Sequence, residues 1–197
     1  MRVTVIFIKE ARSKGFLRIG IESDGKKYDF TVSEAEYSAA GSPLVRDKLF
    51  QDSFEILERA DMKYRATVKA LNILSYGDNS ERKLKQKLLI AGFSADVADE
   101  VLRDMVSRGY INAQRQIRKL ILNEVNLHFF GPMKIIPKLV AKGYSKSDVA
   151  RVMEELQDEG EIDFESAKRH LLETKLAPNA DEAEKKKLLY KNGYYVC

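Results

Sequence analysis

Apolar positions change their period once along this chain, and the change divides it. Over the first forty residues Val3, Val5 and Phe7 alternate with Thr4, Ile6 and Ile8, and a second β-rich run covers Phe16 to Ile21. Ser23-Asp24-Gly25-Lys26 interrupts with the composition of a turn, after which Tyr28 to Val32 reads as the returning strand of a hairpin. Ser33 followed by Glu36 has capping-box spacing, which predicts a short helix ending near Gly41. From Ser42-Pro43 onward the period lengthens. Leu49, Phe50, Phe54 and Leu57 recur at intervals of three and four, the stripe of an amphipathic helix. Helical patterning then runs on, punctuated by Gly77, Gly92, Gly109, Gly131, Gly143, Gly160 and Gly193 at the spacings of helix ends.

Those glycines expose an internal repeat. Ser80-Glu-Arg-Lys-Leu-Lys-Gln-Lys-Leu-Leu-Ile-Ala-Gly-Phe-Ser aligns without a gap on Gly131-Pro-Met-Lys-Ile-Ile-Pro-Lys-Leu-Val-Ala-Lys-Gly-Tyr-Ser at an offset of 51 residues. At the same offset Leu84 meets Ile135, Leu88 meets Leu139, Val101 meets Val152, Met105 meets Leu156, Gly109 meets Gly160 and Ile111 meets Ile162. Agreement over such a span at one offset marks tandem units. Each reads as three helices: the first from Thr67 to Tyr76 or from Gln116 to Leu127, the second ending at Gly92 or Gly143, the third ending at Gly109 or Gly160. Ser94 and Ser145 suit the N-cap of the third. A partial third copy runs from Phe164 to Lys175 and ends in Leu189-Tyr-Lys-Asn-Gly193-Tyr194, with no third helix of its own. The expected fold is therefore mainly α: tandem three-helix repeats in an elongated array behind a small N-terminal β-rich cap. Its segments are a cap over 1–41, a connecting helix over 42–62, repeats over 63–112 and 113–163, and a truncated repeat over 164–197.

Composition narrows the function by exclusion. With 44% hydrophobic and 32% charged residues, the 197-residue chain has the material for a folded core. Its one cysteine, Cys197, cannot form an intramolecular disulfide, and His128 and His170 lack metal-ligand spacing, so no metal is expected. The N-terminal apolar run is too short for a membrane span or a signal peptide, which predicts a cytoplasmic protein. The sequence carries no phosphate loop, no GxGxxG, no GxSxG and no grouping of histidine with carboxylate, so neither a cofactor nor an active site is expected. Without long heptads the chain is expected to be a monomer.

Charge is informative in its placement. The 34 basic and 30 acidic residues leave a net charge of only +4, but the signs are sorted by helix. The second helices are basic, with Arg82, Lys83, Lys85 and Lys87 against Glu81 in one unit and Lys134, Lys138 and Lys142 in the other. The third helices are acidic, with Asp96, Asp99, Glu100 and Asp104 against Arg103, and six acidic against two basic residues over 145–161. Lys134, Lys138 and Lys142 recur every four residues and share one helix face, and Lys83 and Lys87 occupy its counterpart. Together with Arg82 and the short run Lys185-Lys186-Lys187, these are the candidate contacts to a polyanion or an acidic protein groove; the alternative is a solvated face that complements its acidic neighbours. Phe93 and Tyr144, just past their glycines, are expected to lock each turn rather than to stack on bases. His128-Phe129-Phe130 reads either as core or as a partner-facing loop.

The motifs Ser80-Glu81-x-x-Leu84-x-x-Lys87-Leu88-x-x-x-Gly92-Phe93, Gly109-Tyr110-Ile111-Asn112 and Gly131-Pro132-x-x-Ile135-x-x-x-Leu139-x-x-Lys142-Gly143-Tyr144 resemble the RecX family of regulators of the bacterial recombinase RecA. The similarity is specific from about Ala66 to Ile162. Asn112 to Ile117 departs from the family pattern, lacking its acidic pair and its aromatic, and Glu161 stands in place of a second Tyr110. The resemblance implies a non-catalytic protein that binds RecA filaments on DNA and restrains strand exchange and ATP hydrolysis, with single- or double-stranded DNA as a further partner. One alternative is a helix-turn-helix-like protein that binds DNA without RecA, although the acidic third helices lack the Arg, Asn and Gln of a base-reading helix. A general helical scaffold is another.

Overall fold

The computed structural model describes residues 3–195, so Cys197 lies outside it. The protein is mainly helical with a small N-terminal sheet, and the described chain divides into two compact units.

The first unit comprises residues up to Gly77 together with Lys85–Asp104. Strands β1 (Val3–Glu10), β2 (Phe16–Ser23) and β3 (Lys26–Ser33) form an antiparallel meander. A two-residue strand not foreseen from the sequence, β4 (Lys48–Leu49), joins its edge in the order β3-β2-β1-β4. Alternation sends Val3, Val5, Ile19, Ile21, Phe30 and Val32 to one face, where all are buried. The capping box forms as expected: Ser33 Oγ accepts from the Glu36 N–H and the Glu36 carboxylate accepts from the Ser33 N–H, starting α1 (Glu34–Ala39). The sheet face is covered by α2 (Gln51–Ser75), whose Phe54, Leu57 and Ala60 belong to the same core. This single 25-residue helix runs through both the connecting segment and the first helix of the first repeat, which were expected to be separate. Neither glycine nor proline interrupts it between Gln51 and Ser75, so nothing in the backbone ends it at residue 62. Two carboxylates tie the unit together: Asp61 on α2 accepts from the Thr31 N–H at 2.9 Å, and Lys63 reaches Glu100 at 2.6 Å.

Next come α3 (Glu81–Ile90) and α4 (Ala95–Ser107), the second and third helices of the first repeat. The second unit comprises Asp78–Leu84 and the chain from Met105 onward. It holds α5 (Ala113–Asn126), α6 (Pro132–Ala141) and α7 (Lys146–Asp158), which form one core, and α8 (Phe164–Lys175) and α9 (Glu182–Lys191), which close on Leu171, Leu189 and Tyr194. Each apolar pair matched at the 51-residue offset is buried at both of its positions. Ser145 Oγ caps α7 through the Asp148 N–H at 3.0 Å, and Ser94 Oγ does the same for α4 through Val97. No helix among the described residues is long and apolar enough to cross a membrane.

Candidate partner-binding surface

The second unit is jointed at the ends of its second helices. Gly143 has φ +96° and closes α6, and Gly193 has φ +87° and closes α9, a left-handed conformation that other residues adopt only with strain. At each glycine the start of another second helix arrives. Ser80, which caps α3, donates to the Lys142 carbonyl at 2.7 Å, while the Gly131 and Met133 N–H groups at the start of α6 donate to the Asn192 and Gly193 carbonyls at 2.8 and 3.1 Å. Carbonyls at a helix end are thus met by a capping hydroxyl at the first joint and by the N–H groups of a following helix at the second. The approach leaves no room for a side chain: a Cβ on Gly143 would lie 2.4 Å from Ser80 Oγ, and one on Gly193 would lie 2.5 Å from the Lys134 nitrogen. The glycine spacing is visible in the sequence, but nothing in it signals that two ends meet.

The lysines of α6 sit directly on this joint. Lys134 Nζ lies 3.7 Å from the centre of the Phe130 ring and 3.4 Å from Asn192 Oδ1. Its ammonium is held below the usual lysine range, first by partial burial and then by the charges of Lys138 and Lys191. Lys138 has a partner that the sequence did not reveal, Glu124 of α5, a buried carboxylate at 2.6 Å. Lys142 is half-buried, and its backbone serves the joint. On α3, Arg82, Lys83 and Lys87 are exposed, and the first two form no ion pair among the described residues. On α9, Lys185 is held by Glu182 at 2.8 Å, and Lys186 and Lys187 are exposed. The structure therefore gathers Lys134 and Lys138 with Lys191, which the sequence reading did not select.

The loop before α6 is the other missed feature. Phe129 has φ +53°, unusual for a bulky side chain, and continues the end of α5 through Phe129 N–H to Val125 O and Phe130 N–H to Glu124 O. The buried Tyr194 hydroxyl donates to the Phe129 carbonyl at 2.9 Å, and burial pushes that phenol up to about 12. Exposed His128 stacks on half-buried Phe130 at 5.3 Å. Of the two readings of His128-Phe129-Phe130, Phe129 and Phe130 pack on the core while His128 faces solvent. Tyr144 is buried, as a turn lock should be, with its hydroxyl on Gln116 Oε1 at 3.1 Å, whereas Phe93 is half-buried. No cluster of metal-ligating side chains occurs among the described residues. What this surface offers is positive charge beside flat rings.

The chain is similar to known proteins. A family model described as "RecX, first three-helix domain" matches residues 66–105, from within α2 to near the end of α4. Regulatory protein RecX of Listeria monocytogenes serotype 4a (strain HCC23) is 28% identical over 163 residues, 83% of this chain and 59% of that protein. Regulatory protein RecX of Clostridioides difficile (strain 630) is 33% identical over 131 residues, 66% of this chain and 59% of that protein. The chain thus spans 59% of the length of each of these curated relatives. Among solved structures, a crystal structure of regulatory protein RecX superposes with a TM-score of 0.73 at 19% identity, covering 98% of this chain and 95% of its own. RecX from Lactobacillus salivarius gives 0.59 at 19% identity over 69% of this chain and 90% of its own. In its tandem three-helix units, in the family-model match over residues 66–105 and in these relatives, the chain is similar to the RecX family.

Proposed function

We propose that this protein binds RecA filaments on DNA and inhibits recombinase activity and its ATP hydrolysis by occupancy, without chemistry of its own. The similarity to RecX proteins carries the reading, and the surface supports it. Arg82 and Lys83 lie at the start of α3 with no ion pair among the described residues, and Lys134, Lys138 and Lys142 follow along α6. Cations placed this way favour an acidic groove or a phosphate track, with an affinity that falls as salt rises.

The test is RecA-catalysed, single-stranded-DNA-dependent ATP hydrolysis titrated with the protein at low and moderate salt. The expected result is inhibition below one protein per RecA, weakened in K134Q/K138Q/K142Q together with its salt dependence. Unchanged hydrolysis overturns the proposal, and unchanged salt dependence in the triple variant overturns its basic-surface form. The alternative of a helix reading duplex DNA alone has weaker support, since α4 and α7 bring carboxylates where phosphates would lie. Duplex binding by the protein alone, measured in parallel, separates the two.

A further inference from the structure

Lys134 and Lys138 converge on one ring. Their ammonium groups lie 3.7 and 5.2 Å from the centre of Phe130, and Lys138 alone of the two has a carboxylate, Glu124 at 2.6 Å. Lys134 forms no ion pair among the described residues; besides the ring, its Nζ meets Asn192 Oδ1 at 3.4 Å. Phe130 and Asn192 also line a groove of about 640 Å³ in the second unit, shared with Lys175 and Lys191. None of the side chains lining it is a carboxylate. The half-buried Lys134 amine therefore stands at the rim of a basic recess, touching two of its walls. Partial burial, and then the charges of Lys138 and Lys191, hold its ammonium below the ordinary lysine range. An amine crowded by other cations releases its proton more readily and becomes the better nucleophile.

We propose that Lys134 is an acylation site whose donor is a small acyl phosphate, held in the groove by Lys175 and Lys191. The Lys134 nitrogen attacks the carbonyl carbon of the donor. A C–N bond forms and the C–O bond to the phosphate breaks. The electron pair leaves with the phosphate, which also takes the proton lost from nitrogen. Two cations without a carboxylate suit this charged leaving group, and an uncharged acyl donor would gain nothing from them. The amide product keeps one N–H for Asn192 Oδ1 but carries no charge, so acylation removes one cation from the surface of α6. It is a modification of the protein rather than a turnover. Because it requires neither RecA nor DNA, it and the proposed function can each fail alone.

The test incubates the full-length chain with acetyl phosphate and follows acetylation of each lysine over time by quantitative peptide mass spectrometry. Lys134 should react about fivefold faster than exposed Lys187, the order of effect that one neighbouring charge has on an amine. In urea-unfolded protein the preference should vanish. Lys191→Gln should slow Lys134 more with acetyl phosphate than with an uncharged N-hydroxysuccinimide ester, since only the former uses the phosphate contact. Glu124→Gln, which removes an opposing charge, should speed Lys134 with both donors. A Lys134 rate no higher than that of Lys187, or acetylation that falls first on Lys138 or Lys191, would overturn the site. Equal slowing with the two donors in Lys191→Gln would overturn the phosphate contact, and with it the proposed donor.

Discussion

Replacing Gly193 by alanine tests whether the glycine joint holds the second unit together. Two effects combine. Holding alanine at φ +87° costs about 1–2 kcal/mol, the left-handed penalty of an L residue. The added Cβ would also lie 2.5 Å from the Lys134 nitrogen, a backbone atom of α6 that cannot rotate aside. The helices must separate there, which forfeits the Gly131 and Met133 hydrogen bonds to Asn192 and Gly193, each contributing about 0.5–1.5 kcal/mol. The sum is about 2–5 kcal/mol. Gly92 is the matched control: it has φ +90°, but no atom lies within 4 Å of its Cβ position, so Gly92→Ala should show the backbone part alone. The protein has nine tyrosines and no tryptophan, so denaturant unfolding can be followed by tyrosine emission, and hydrogen exchange reads the Met133 amide directly. If Gly193→Ala destabilises no more than Gly92→Ala and the Met133 amide stays protected, the joint does not hold these helices. Gly143→Ala adds an internal check. Its Cβ meets the Ser80 hydroxyl rather than backbone, so Ser80→Ala should recover part of the loss.

Three further results are expected. Lys138→Gln strands the buried Glu124 carboxylate and should cost about 1–3 kcal/mol by urea titration, whereas Glu124→Gln should be milder and should raise affinity for polyanions; equal costs would mean the pair is incidental. Stability against pH should move in opposite directions for two carboxylates. Burial raises Asp61 above its unfolded value, so its contribution is lost as pH rises through that window, while Lys63 lowers Glu100, whose contribution is lost as pH falls. The difference between wild type and Asp61→Asn should therefore shrink with rising pH and that for Glu100→Gln should grow, and slopes of the same sign would refute the assignment. Tyr144→Phe leaves the Gln116 side chain, whose Nε2 already lacks a partner, without its remaining bond; it should lower stability by about 1 kcal/mol, and Tyr144→Phe/Gln116→Leu should recover it, which additive losses would contradict.

What the sequence disclosed and what it hid divide along one physical line. Local signals were legible: the Ser33–Glu36 box, the Ser145 cap, the hairpin turn and the period of Leu84, Leu88, Ile135 and Leu139 are written within a few residues of their effect. The repeat made a long-range regularity local by stating it twice. Pairings made once, between distant positions, left no trace. Nothing near Lys138 names Glu124 on another helix, and nothing near Phe130 names Lys191, some sixty residues on. The continuity of α2 was missed for the opposite reason: the residues hold no break, but the repeat suggested one.

The joints also bear on why this surface stays positive. A cation near a helix C-terminus normally complements the partial negative charge of its free carbonyls. Lys142 and Lys191 occupy such positions on α6 and α9, yet carbonyls there are already engaged by Ser80 on one side and by Gly131 and Met133 on the other. With the Ser80 hydroxyl at one joint and the Gly131 and Met133 N–H groups at the other supplying the complement, the lysine charge is left less compensated. Glu124 offsets Lys138 alone. The glycine that lets two helices meet therefore also frees the lysine beside it to act outward, which ties the architecture of the repeat to the charge its surface presents. On this argument Gly193→Ala, by parting the helix ends and exposing the Asn192 and Gly193 carbonyls, should weaken polyanion binding even though it removes no charge; affinity unchanged in a variant that has lost Met133 protection would separate the two roles.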